Sequence, residues 1–142
     1  MPVILDTNIV SLLREDDSPV SARIVHKMQQ LPASEIWTSV VTYQEQLKGW
    51  LAAINRPRND KHLLWAYTAL QNTLLVFTRL PVLPFDEAAL TIFHELKSQQ
   101  LGVGTHDLRI ASIALARGAK VITQNVRDFG RVPGLLVEDW TA

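Results

Sequence analysis

Val3-Ile4-Leu5-Asp6-Thr7-Asn8 is the stretch on which the fold turns. Three apolar residues run straight into a carboxylate, and a polar pair follows. That is the pattern of a short buried strand ending in Asp6. In an open parallel α/β sheet, ligands sit at the carboxyl ends of the strands. Asp6 is therefore a candidate for half of a metal site to which later segments bring further carboxylates. Asp6 and Asn8 also have a purely local reading. Both residue types are favoured before a first helical turn, and Ile9, Val10, Leu12 and Leu13 continue at helical spacing.

Similar apolar runs recur along the chain. Ile36-Trp37-Thr38-Ser39, Val82-Leu83-Pro84-Phe85, Lys120-Val121-Ile122-Thr123 and Leu135-Leu136-Val137-Glu138 read as further short strands. Helical patterns lie between them. Asp16-Asp17-Ser18-Pro19 reads as a turn that starts a helix carrying Val20, Ile24, Val25 and Met28. A helix from about Val40 has Ser39 or Thr42 near its start. The pattern from Gln46 to Leu80 is helical and broken at Arg56-Pro57-Arg58-Asn59-Asp60, which gives an αα-hairpin. Its second helix is apolar on more than one face, a feature of either core or a partner surface. Lys48, Arg56, Arg58, Lys61 and Arg79 make this region comparatively basic. Asp86 reads as the N-cap of the next helix, and Thr105 as a cap for the alanine-rich helix that stops at Arg117-Gly118. Strands alternating with helices predict one α/β domain over residues 1–142. Its sheet is mainly parallel, of four to five short strands flanked by helices.

Composition narrows the chemistry. With no Cys there can be no disulfide, zinc-thiolate site or cysteine nucleophile. The four His residues, at 26, 62, 94 and 106, show no ligand spacing, and neither HExxH nor GxSxG occurs. Gly102 and Gly104 do not belong to a phosphate-binding loop. The opening apolar run is too short for a signal peptide, and no run suggests a membrane span, so a cytoplasmic protein is expected. The formal net charge of zero argues against a protein that coats duplex nucleic acid, and leaves room for a local basic patch.

Four acids stand out by placement. Asp6 and Asp128 follow the ends of predicted strands, and Glu45 and Asp107 lie in the first two turns of helices. Each has a local alternative: Glu45 in a Thr42-Tyr43-Gln44-Glu45 capping box, Asp107 at a helix dipole, Asp128 in an Asx turn. In a parallel sheet, however, strand ends and the starts of the following helices share one edge. Four converging carboxylates would repel one another unless a cation relieved them. Oxygen donors without Cys or paired His select Mg²⁺ or Mn²⁺ over Zn²⁺. Such a site suits hydrolysis of a phosphodiester. Thr7, Asn8 and Asn125 are polar groups suited to holding those carboxylates or a substrate phosphate.

At this point the chain resembles the PIN-domain ribonucleases, in particular the VapC toxins of bacterial toxin–antitoxin pairs. Leu5-Asp6-Thr7-Asn8 looks like their first acidic motif. Ser39-Val40-Val41-Thr42 with Glu45 resembles the second, and Asp107-Leu108-Arg109-Ile110-Ala111 the third. The run from Val121 to Phe129, then Val132-Pro133-Gly134-Leu135, resembles the closing segment. The resemblance implies Asp6, Glu45 and Asp107 as core acids, Asp128 as a more variable fourth, and Asn125 as a supporting polar residue. It further implies cleavage of RNA with Mg²⁺ or Mn²⁺, a homodimer, and a cognate antitoxin. The antitoxin would lay a helix near the αα-hairpin and cover the acids. His106 stands where small or amide residues are more usual.

Three other readings compete: a PIN nuclease of RNA maturation outside any toxin system, a binding module on the same fold that does not cut, and a receiver-like phosphoacceptor domain. The last lacks the acidic pair and the Asp on the third strand that it needs.

Overall fold

The computed structural model describes residues 1–14 and 18–142. All five apolar runs contribute a strand: β1 (Val3–Leu5), β2 (Ile36–Ser39), β3 (Val82–Leu83), β4 (Lys120–Ile122) and β5 (Val137–Glu138). They form one sheet in the order β3-β2-β1-β4-β5. Every adjacent pair is parallel, with Ile4 opposite both Trp37 and Val121. β3 is shorter than the run Val82–Phe85 suggests. Pro84 has no N–H to continue a ladder, and Asp86 then caps the next helix.

The helices are α1 (Thr7–Leu13), α2 (Pro19–Gln29), α3 (Val40–Asn55), α4 (Asp60–Arg79), α5 (Glu87–Ser98), α6 (Thr105–Arg117) and α7 (Val126–Phe129). Ser18 Oγ accepts from the Ser21 N–H at 2.9 Å, with Pro19 in the first turn of α2. The Asp16-Asp17 part of the turn expected there lies outside the described residues. The break at residues 56–60 separates α3 from α4, so the αα-hairpin forms as expected, and Asn59 caps α4 by accepting from the His62 N–H at 2.8 Å. α6 ends at Gly118, whose φ of 63° is the left-handed cap that glycine takes without strain. Its start differs from the expected Thr105 cap: Gly104 holds the N-cap position and no side chain caps the turn.

Strand alternation divides the core. Ile4 and Val121 point to one face, where they pack with Phe93, Ile110, Ile113 and Phe129. Val3, Leu5 and Ile122 point to the other, against Ile9, Val10, Ile24 and Leu80. Helices therefore cover both faces, and the central β1 is fully buried. The chain builds β1, β2 and β3 to one side, then crosses back to β4 beside β1. This reversal leaves a crevice at the carboxyl ends of β1 and β4, the usual place for a ligand in such a sheet.

Candidate active site

Asp6 lies at that crevice, directly after β1. It occupies the N-cap position of α1, and its backbone carbonyl accepts from the Ile9 and Val10 N–H groups, both at 3.0 Å. Its side chain does not cap the helix. Oδ2 instead accepts from the Thr123 hydroxyl at 2.7 Å. Thr123 follows β4, is fully buried, and also accepts from the Asn125 N–H at 2.9 Å. Asp6 is only 4% exposed. Burial pushes its carboxyl up to about 6; the Thr123 hydroxyl and Thr7 N–H oppose the rise, and the Asp107 and Glu45 charges add to it.

Glu45 arrives from α3. The expected capping box is not formed, because Ser39 caps this helix by accepting from the Thr42 N–H at 3.1 Å. Glu45 sits further along, where Oε1 accepts from the Thr7 hydroxyl at 3.0 Å. A tertiary partner from α1 has replaced the local one. Oε2 of Glu45 lies 3.8 Å from Nδ1 of His106, which flanks the third acid.

Asp107 occupies the first turn of α6, and the helix dipole favours it there. Its carboxyl is raised by burial first and by Glu45 next, with Asn125 opposing. Asn125 joins it to the fourth acid: Nδ2 donates to Asp107 Oδ2 at 3.2 Å and to Asp128 Oδ2 at 3.1 Å. Asp128 is not in a simple Asx turn. Residues 126–129 form the one-turn helix α7, anchored by the fully buried Phe129. Arg131 Nη1 lies 3.5 Å from Asp128 Oδ1 at the rim. Asn8 completes the crevice, accepting from the Gln124 N–H at 3.3 Å.

The four acids thus meet at one edge, from four separate parts of the chain. Thr123 is the member that sequence reading left without a role. The signal was its position just past β4, level with Asp6 just past β1. Among the described residues, no three His, Asp or Glu side chains are drawn together tightly enough to ring an ion by themselves. The carboxylates line an open edge rather than a closed cage.

A family model described as PIN domain matches residues 3–135. The chain belongs to the PIN-domain family. Among PIN proteins it is similar to ribonuclease VapC1 of Haemophilus influenzae (strain R2866), with 32% identity over 141 residues, 99% of each chain. It is equally similar, at 32% over 141 residues and 96% of each chain, to the tRNA(fMet)-specific endonuclease VapC of Shigella flexneri. The fold matches the solved structure of VapBC-1 from nontypeable Haemophilus influenzae with a TM-score of 0.79, 29% identity and 100% of each chain covered. The α/β architecture and its parallel sheet are those expected of a PIN domain.

Proposed function

We propose that this PIN domain is an endoribonuclease, the toxin of a toxin–antitoxin pair, and that Asp6, Glu45, Asp107 and Asp128 are its catalytic acids. The carrying observation is that hydrogen bonds hold these acids at the sheet's switch point, near enough for their charges to repel one another. The similarity to VapC ribonucleases over nearly the full chain supports the same reading. One relative is named for tRNA(fMet), so tRNA is the first substrate class to assay.

The donor set fits Mg²⁺ or Mn²⁺. All donors are oxygens, Asp6 is held up to about 6 by burial and its acidic neighbours, and a cation relieves that conflict. An open edge suits Mg²⁺, which takes one or two carboxylates directly and keeps several of its waters. Asp6 and Asp107 would hold the ion, with Glu45 and Asp128 reaching it directly or through water. When bound, the ion would ease deprotonation of a water and offset charge on the leaving oxygen.

The chain's own residues prepare the site. The Thr123 hydroxyl orients Asp6 and Thr7 orients Glu45. Asn125 bridges Asp107 and Asp128 by donating to both from its amide nitrogen, which lowers the cost of their shared charge. Asn8 braces Gln124 beside the crevice, where a substrate phosphate would enter.

Among the described residues no helix is long and apolar enough to cross a membrane. We assign the protein to the cytoplasm as a homodimer, with an antitoxin helix along the groove lined by Tyr43, Leu47, Leu64, Tyr67 and Leu74. The test is incubation of the purified protein with tRNA and total RNA. Cleavage with Mg²⁺ that EDTA stops and Mg²⁺ or Mn²⁺ restores is expected, and Asp107→Asn should abolish it. Metal binding without cleavage of any RNA would favour a non-cutting binding module.

A further inference from the structure

α4 presents two different faces beside α3. One carries Leu64, Tyr67 and Leu74, exposed at 68%, 54% and 56%, and lines an apolar groove suited to a protein helix. The other carries Trp65, Ala69 and Asn72, which with Trp50, Arg14 and the shared border residue Thr68 line a second pocket of about 490 Å³. This second face has a different chemistry.

Its centre is aromatic and held in place. Trp50 Nε1 donates to the buried Thr73 Oγ1 at 2.7 Å, which fixes the indole. The Arg14 guanidinium lies 4.6 Å above the Trp50 ring. Trp65 meets Trp50 edge-on, with centroids 5.3 Å apart. His62 stacks on Trp65 at 5.5 Å and 14°, so the two rings form a short offset stack that a further ring can extend. The backbone N–H of Arg58 donates to His62 Nδ1 at 3.2 Å, which ties the hairpin loop to the stack. Trp65 nevertheless leaves 53% of its surface exposed. Burying a Trp is strongly favourable, so a half-exposed one on a braced support is suited to a ligand.

The surroundings are cationic. Arg56, Arg58 and Lys61 are exposed, and among the described residues none has an ion-pair partner. Lys61 precedes Trp65 by four residues on α4 and so shares its face.

The stack is also connected to the acids. α1 and α3 run side by side: Thr7 bonds Glu45, the Gln46 amide donates to Ser11 Oγ at 2.8 Å, and Arg14 covers Trp50. From Thr7 to Arg14 is two turns of α1, about 10 Å. The steps of 4.6 Å on to Trp50 and 5.3 Å on to Trp65 bring the path to about 20 Å, about six stacked nucleotides at ~3.4 Å each.

The geometry points to a base-stacking site for the substrate: an unpaired base of the RNA, about six nucleotides from the cut, extends the Trp65–His62 stack, while Lys61, Arg56 and Arg58 contact its flanking phosphates. Aromatic stacking of this kind tolerates any base, because every base has a π-face. Trp65 is then a substrate-positioning residue. The proposal rests on the ribonuclease reading above and adds a contact to it.

The test measures affinity for a labelled, mixed-sequence single-stranded RNA by anisotropy in EDTA, together with KM and kcat for tRNA cleavage in Mg²⁺. Trp65→Ala should weaken RNA affinity and raise KM by about tenfold, with kcat little changed and a cooperative melt lowered only by loss of the contacts to Trp50 and His62. Trp65→Phe should restore most of the affinity. Lys61→Ala should flatten the dependence of log affinity on log salt by about 0.7, one phosphate contact on a single strand. A folded Trp65→Ala protein with unchanged affinity and KM overturns the proposal and leaves the ribonuclease reading intact. Unchanged RNA binding with loss of inhibition by the cognate antitoxin also overturns it, and assigns the face to the protein partner. If the wild type cuts no RNA, the ribonuclease reading fails, and the anisotropy series alone decides whether Trp65 contacts RNA.

Discussion

The Thr123 hydroxyl donates to Oδ2 of Asp6 at 2.7 Å across 117 residues of chain, joining the ends of the two strands that flank the crevice. Asp6 is buried with two acidic neighbours, and this bond is the chief favourable contact offsetting that burial. Thr123→Val keeps the shape and removes the donor. It should cost about 1–3 kcal/mol of stability at neutral pH, read by denaturant melting. It should also weaken metal affinity by about 10- to 100-fold, as loss of a group that orients a ligand does, while Thr123→Ser retains most of it.

The raised Asp6 carboxyl makes a prediction about pH. Its folded value, about 6, lies above the ordinary 3.8. The folded protein therefore binds the proton more tightly than the unfolded chain does. The stability linked to this group is fully present below the unfolded value and is lost as pH rises through about 6. In metal-free protein, Asp6→Asn should be more stable than the wild type at pH 7.5, by up to about 3 kcal/mol at 1.36 kcal/mol per unit. The advantage should vanish near pH 4. Parallel thermal melts in EDTA at several pH values check this, and saturating Mg²⁺ should reverse the order at pH 7.5.

Gly130 closes α7. A Cβ there would lie 2.7 Å from the Val126 carbonyl oxygen, a backbone atom that cannot turn aside. Gly130→Ala should therefore cost about 1–3 kcal/mol in melting. Because α7 carries Asp128, RNA cleavage should fall more than it does for an equally destabilising change remote from the site.

Asp86 is the control for an acid that only caps. It accepts from the Ala89 N–H at 3.0 Å and pairs with Arg117 at 3.1 Å. Asp86→Ala should lower stability by about 1 kcal/mol. Cleavage per folded molecule and metal affinity should stay unchanged.

Much of this arrangement can be read from local pattern. Val3-Ile4-Leu5 and Lys120-Val121-Ile122 are short apolar runs with helical patterns beside them, and β1 and β4 form there. Asp107 in the first turn of a helix could likewise be placed on the right edge. Glu45 shows where local reading ends. Thr42 to Glu45 has capping-box spacing, yet Ser39 takes the cap and Thr7 takes the carboxylate. The role of Thr123 depends on β4 lying beside β1, a register that no window of neighbouring residues encodes. α7 is a single turn held by the burial of Phe129, too short to leave a periodic pattern.

The central claim is that Asp6 and Asp107 hold a divalent ion at the switch point. It is tested most directly by anomalous diffraction from crystals soaked in Mn²⁺ at a concentration that supports RNA cleavage. The account predicts a peak bonded to carboxylate oxygens of both Asp6 and Asp107, with Glu45 and Asp128 bonded directly or through water. A Mn²⁺-dependent enzyme whose crystals show no density between those two residues, or show it at other ligands, would contradict it.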